Sequence, residues 1–257
     1  MDNPELDLGA PEAVNILGVP VRQIDKPSLL QLGVNWARQD ARRTITYVNA
    51  ACLNQAVKDP AYRSLLRQAD LVYADGVGPV CAGWFLSRRK LSKVTGRDWI
   101  HDFCRLAMKG GIKLYILAGA PGVARKATEN LLSLYPTLQI VGCHEGYFLR
   151  STEAQVLDDI VQRAPQVLFV GMGAPIQEQW MISHRNQISA PVCWGVGALF
   201  DYLAGVEAPV PTWMDRAGLE WLWRLGMDPL GKWRRYLLGI PVFMLRVWQQ
   251  KMGWRSY

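Results

Sequence analysis

Residues 167–180 read VLFVGMGAPIQEQW. Val167–Val170 is a short apolar run with no polar alternation, Gly171–Pro175 is a glycine-rich turn, and a helical pattern runs from Ile176 to Asn186. An unbroken apolar run of this length is what a strand buried on both faces requires. The stretch therefore predicts strand, turn and helix in a parallel sheet. The same grammar recurs from Ile16 to about Gly205. Strands are expected at Thr44–Val48, Leu71–Ala74, Lys113–Leu117, Leu138–Gly142 and Val192–Trp194. Helices are expected at Pro27–Arg38, Asp98–Met108, Gly122–Leu134 and Thr152–Arg163, the last with Ser151 as its N-cap. Strand–helix alternation implies right-handed crossovers and a doubly wound, mostly parallel α/β sheet with helices on both faces.

The composition changes after Gly205. Residues 1–205 form the expected α/β core, and residues 206–257 a basic, Trp-rich helical appendage. The appendage holds eight Lys/Arg against four Asp/Glu and six of the eleven tryptophans. The whole chain has 257 residues, 50% hydrophobic and 20% charged, which excludes a disordered or collagen-like protein. Its formal net charge of +7 points to an anionic partner. Five scattered cysteines, with no C-x-x-C pair, argue against a disulfide framework and a zinc site and are expected as buried small hydrophobes. The start, MDNPELDLGAPEA, lacks the apolar core of a signal peptide. No run reaches the roughly 18–20 apolar residues of a bilayer span; Tyr236–Leu245 is broken by Gly239 and Pro241. A cytoplasmic protein able to touch the membrane surface is the expectation.

In an open parallel sheet, ligands bind at the carboxyl ends of the strands. That rule selects Asn49, the Asp75–Gly78 turn, Gly119–Pro121, Gly142–Tyr147, Gly171–Pro175 and Gly195–Gly197. Glycine turns leading into helices present bare N–H groups suited to phosphate. One such turn is a weak signal, but four along one edge favour a diphosphate site. Neither a G-x-G-x-x-G fingerprint nor a P-loop is present. Asp75 ends the apolar run LVYAD, where partial desolvation suits a general base. Its other reading is a cap on the helix starting near Val77. Gln177 could bond a sugar or pyrophosphate, while Glu178 suits the helix dipole. Without D-x-D or a His–carboxylate cluster, no metal and no cofactor is expected; His101, His144 and His184 lie far apart.

Taken in order, ILGVPV, VNA at Asn49, ADGVG at Asp75, VTGRD, LAGAPG, HEGYF, GMGAPIQEQW, GVGALFD, AGLEWLWRL and RRY resemble the WecG/TagA/CpsF glycosyltransferase family, over about Ile16–Tyr236. The resemblance implies an inverting, metal-independent transfer from a UDP-sugar to a polyprenyl-diphosphate-linked saccharide, on the inner face of the cytoplasmic membrane, in cell-surface polysaccharide synthesis. It implies Asp75 as catalytic base, with Asn49 and Gln177 positioning sugar or phosphate. Tyr147 and Asp201 are implied as nucleotide contacts and Arg224 as a diphosphate contact. Tyr47, Arg97, Arg234 and Arg235, within or beside these motifs, are expected to bind substrate, as are Gly119, Gly171, Gly173 and Gly197 of the strand-end turns. Three departures stand out. Tyr47 replaces a frequent threonine, EAPVPTW carries Glu207 and two extra residues, and DPLGK puts Gly231 where an arginine is expected, with Lys232 beside it.

Beyond Pro241, Val242, Leu245, Trp248 and Met252 recur at helical spacing, with Arg246, Gln249, Gln250 and Lys251 on other faces. Such a helix either lies in a membrane interface or packs on its own core. The lipid-linked acceptor favours the membrane. Two other classes compete with the transferase: a basic nucleic-acid-binding protein, which lacks any recognisable motif and is not expected as a partner mode, and an NAD-dependent Rossmann-type enzyme, which lacks the fingerprint. The sequence sets neither the sugar, the acceptor saccharide nor the oligomeric state, a homo-oligomer included.

Overall fold

The computed structural model describes residues 12–39, 42–206, 208, 210–211, 213–214, 217–255 and 257. The first eleven residues, read above for a signal peptide, and Glu207 lie outside the described residues. Two strands, β1 (Ala13–Ile16) and β2 (Val19–Arg22), form an antiparallel hairpin. Six more build one parallel sheet: β3 (Arg43–Val48), β4 (Leu71–Ala74), β5 (Leu114–Ala118), β6 (Ile140–His144), β7 (Val167–Gly171) and β8 (Val192–Gly195), in the order β4-β3-β8-β7-β5-β6. The doubly wound expectation holds. Strands β4, β5, β7 and β8 are buried at every position, as their unbroken apolar runs require.

Helices alternate with these strands: α1 (Lys26–Arg38), α2 (Ala50–Lys58), α3 (Pro60–Gln68), α4 (Val77–Ser87), α5 (Gly96–Gly110), α6 (Val123–Leu134), α7 (Glu153–Arg163), α8 (Ile176–Ser183) and α9 (Leu199–Leu203). Local chemistry sets several starts. Asp25 accepts from Ser28 N–H ahead of α1, and Asp59 accepts from Ala61 and Tyr62 N–H ahead of α3. Corrections are local. Ser151 is not a cap; a 3₁₀ turn, Arg150–Thr152, precedes α7 and Thr152 Oγ1 donates to Leu149 O. The helix expected to reach Asn186 stops at Ser183. The edge strand β6 begins two residues later than expected, because Leu138 N–H closes a turn onto Tyr135 O. Cys52, Cys104 and Cys193 are buried, whereas Cys81 is exposed rather than a core residue.

The C-terminal segment is helical: α10 (Glu220–Met227), α11 (Pro229–Trp233), a π turn at Arg234–Leu238 and α12 (Gly239–Lys251). On α12, Phe243 and Val247 are buried in a cluster with Val48, Leu53, Val72 and Ala82. Burying two such side chains stabilises the docking by roughly 1.5–3 kcal/mol each. Polar residues of α12 add anchors to the body. Arg246 donates to Asn54 O and Oδ1 (3.0 and 2.8 Å), Gln250 bonds Leu17 N–H and Asn15 O (2.8 Å each), and Lys251 reaches Leu86 O at 2.9 Å. Leu245, Trp248 and Met252 stay exposed. Among the described residues no helix is long and apolar enough to cross a membrane.

Candidate active site

A cavity of about 1490 Å³ opens over the carboxyl ends of four adjacent strands, β4, β3, β8 and β7. Tyr47 and Asn49 come from the end of β3, Asp75 follows β4, Gly173–Pro175 follow β7, and Val196 and Ala198 follow β8. The C-terminal segment closes the other side with Glu220, Arg224, Lys232 and Arg235, and Arg97 enters from the first turn of α5. Of the sequence-predicted residues, Tyr47, Asn49, Asp75, Arg97, Gly173, Arg224 and Arg235 therefore meet in one cavity.

Asp75 is half-buried at the strand edge, its N–H bonded to Val48 O at 2.9 Å. It does not cap α4. The cap position is Gly76, whose φ of 86° turns the chain and which supplies no side-chain bond. The carboxyl is left facing the cavity. Its pKa is raised from 3.8 to about 7, first by desolvation and then by Glu220, against the pull of Arg224, Arg235 and Lys93. A group that titrates near neutrality beside cationic side chains is suited to accept a proton.

Asn49 serves two masters. Its Oδ1 accepts from Ala51 and Cys52 N–H at 3.0 and 3.1 Å, capping α2. The side-chain NH₂ is what remains to offer the cavity, a donor suited to phosphate or hydroxyl oxygen. Tyr47 stands against Gly197, where even a Cβ would strike the phenol oxygen. Burial pushes the Tyr47 phenol well above its usual pKa, so it works here as a neutral hydroxyl.

Gln177 is placed differently from the sequence reading. It is fully buried: its Oε1 accepts from Gly197 N–H at 2.9 Å and its Nε2 donates to Glu178 Oε1 at 2.7 Å. Both ends of the amide are thus spent inside the protein. Glu178 does sit in the first turn of α8, but it is buried; its Oε1 also accepts from Thr46 Oγ1 at 2.7 Å, and burial raises its pKa. Sequence reasoning missed this tie. The adjacency of Gln177 and Glu178 in a first turn was visible, but not which way they face.

Gly119, Tyr147, Gly171, Gly197, Asp201 and Arg234 lie outside the cavity lining. Gly119 and Gly171 are joined backbone to backbone, Gly119 N–H to Gly171 O at 3.0 Å, which ties the turn after β5 to the end of β7. Tyr147 Oη donates to Met172 O at 3.0 Å, and the Arg234 guanidinium lies over the Trp233 ring. At the departure near Asp228, the Asp228 side chain caps α11 by accepting from Gly231 N–H at 2.9 Å, and Lys232 is the residue that reaches the cavity. Among the described residues no group of three or more His, Cys, Asp or Glu could hold a metal ion. The histidines have separate partners: His101 pairs with Tyr135 Oη, His144 with Glu145 O and His184 with Trp180 O.

Comparisons with known proteins place the chain in a family. The model of the glycosyl transferase WecG/TagA/CpsF family matches residues 14–257. The chain is 31% identical over 245 residues to the N-acetylglucosaminyldiphosphoundecaprenol N-acetyl-beta-D-mannosaminyltransferase of Staphylococcus aureus strain MW2, covering 93% of each chain. The proteins of the same name from strains NCTC 8325 / PS 47 and COL are 30% identical over 245 residues, again with 93% of each chain covered. A strand-edge carboxylate, a basic cavity and a match over nearly the full length lead to one conclusion: the chain belongs to the WecG/TagA/CpsF family and is a glycosyltransferase.

Proposed function

We propose that the chain moves a sugar from a UDP-sugar to a polyprenyl-diphosphate-linked saccharide, with inversion and without a metal, as a step in making cell-surface polysaccharide. The observation that carries this reading is the half-buried Asp75 carboxyl facing a cavity whose rim holds Arg97, Arg224, Arg235, Lys93 and Lys232. In the proposed step an acceptor hydroxyl oxygen attacks the anomeric carbon and its proton passes to Asp75. The bond from that carbon to the β-phosphate oxygen breaks, and UDP departs with the electron pair. Direct displacement from the opposite face inverts the anomeric centre. The guanidinium and ammonium groups take up the charge that develops on the diphosphate, and Asn49 offers its NH₂ to the same region.

The apolar part of the cavity lining favours a lipid-linked acceptor: Val80, Cys81, Trp84, Phe85, Met244 and Trp248, from α4 and α12, line the same cavity as the basic side chains. Leu237, Leu238, Leu245 and Trp254 of the C-terminal segment are also exposed. We read this segment as the surface that lies peripherally on the inner face of the cytoplasmic membrane. The relatives' names, which specify an N-acetylmannosaminyl group and an N-acetylglucosaminyl-diphosphoundecaprenol acceptor, make that pair the first to try.

The test is incubation with a panel of UDP-sugars and a synthetic polyprenyl-diphosphate saccharide, followed by product mass and anomeric NMR. One UDP-sugar should add one residue with inverted configuration. Retention of configuration, or no product from any UDP-sugar, refutes the reading.

A further inference from the structure

We propose that Glu220 is a positioning residue: its carboxylate joins Arg97 of the core to Arg224 of the C-terminal segment and sets a second acidic group beside Asp75. The significance of this arrangement for catalysis rests on the reading of Asp75 as the base.

Three observations converge on Glu220. Arg97 Nη2 lies 3.1 Å from Glu220 Oε1, and Arg224 Nε donates to that same oxygen at 2.9 Å. Arg97 belongs to the core helix α5, whereas Glu220 and Arg224 sit one turn apart on α10, so the contact bridges two parts of the molecule. The side chains are only 15%, 23% and 26% exposed respectively, so solvent screens the cluster less than it screens a surface pair. The Arg97 guanidinium also lies over the Tyr202 ring, its carbon 5.6 Å from the ring centroid.

The same carboxylate acts on Asp75. After burial, Glu220 is the strongest influence holding the Asp75 proton on, while Arg224, Arg235 and Lys93 pull it off. Lys90, Arg97 and Lys232 line the same cavity, and the neutral phenols of Tyr47 and Tyr73 face Asp75 from the sheet. Glu220 thus lowers the net positive charge around the base and also fixes two of the cations. Removing its charge takes away an anion and unmasks Arg97 and Arg224. All of these changes favour the Asp75 carboxylate, so the direction of the effect is set.

The experiment uses full-length protein with ¹³C-labelled aspartate, the Asp75 carboxyl signal being assigned by its loss in Asp75→Asn. In the unsubstituted chain the Asp75 midpoint should lie near neutrality. In Glu220→Gln it should fall by about one pH unit or more, and in Arg224→Gln, which leaves the acid but removes a cation, it should rise. Hydrogen exchange should speed up across α10 in Glu220→Gln, with α12, held by its own anchors, unchanged. An unmoved midpoint in Glu220→Gln, or the same direction in both variants, overturns the proposal, as does unchanged exchange across α10. These readouts do not need turnover. If Asp75→Asn still transfers sugar while Glu220→Gln shifts the midpoint, the base assignment fails and the Glu220 linkage stands. If Asp75→Asn is inactive and the midpoint does not move, only the linkage fails.

Discussion

Asp75 pays for its position with stability. Burial raises its pKa from 3.8 to about 7, so between those values the folded chain keeps a proton that the unfolded chain has lost. Stability therefore falls as pH rises through that window and stays lowered above it. Asp75→Asn should melt several degrees higher than the unsubstituted chain at pH 8 and close to it at pH 4; equal melting at both pH values would contradict the burial cost. The same ionisation governs the proposed chemistry. As kcat/KM is followed downward in pH, it should fall tenfold per unit below about 7, and an acidic limb centred near 4 would count against Asp75. This residue was legible because it terminates an apolar run directly before a glycine. The choice between base and cap was not, since both need a carboxylate at a strand-to-helix turn; the geometry at Gly76 decides it. Gln177 was legible as a site-edge residue but not as a buried tie, because its direction depends on where Gly197 and Glu178 fall after folding.

Among the elements, the tie from α8 to β3 and the β8–α9 turn holds the cavity wall. Thr46 and Gln177 both donate to one oxygen of Glu178, a buried acid whose neutral form burial favours. Glu178→Gln keeps an acceptor at that place and should retain turnover within a few-fold. Glu178→Ala strands two donors, each at about 1–3 kcal/mol, and should lower Tm and turnover together; melting curves and initial rates check both, and an alanine variant as stable as the glutamine one would contradict the tie. Strand positions were legible from unbroken apolar runs such as LVYA and VLFV. The β1–β2 hairpin and helices α2 and α3 escaped the reading, although Asn49 and Asp59–Pro60 carry their start signals. The shift of β6 depends on a turn at Tyr135–Leu138, which period alone does not reveal.

For the molecule as a whole, α12 shows what periodicity can and cannot tell. The spacing of Val242, Leu245, Trp248 and Met252 was plain in the sequence, but a stripe does not say which side faces inward. Here Phe243 and Val247 enter the core, Arg246, Gln250 and Lys251 grip the body, and Leu245 and Trp248 point out. The double substitution Leu245→Glu/Trp248→Glu should leave Tm nearly unchanged and abolish co-sedimentation with anionic vesicles. Undiminished vesicle binding would place the membrane contact elsewhere. Phe243→Ala, by contrast, should cost roughly 3–5 kcal/mol of stability. The role of Asp75 as base is tested most directly by the single-turnover rate of Asp75→Asn with the active UDP-sugar, measured beside its UDP affinity by calorimetry. Transfer should fall by about 10²–10⁴-fold with UDP affinity nearly preserved; an undiminished rate would rule out Asp75 as the base.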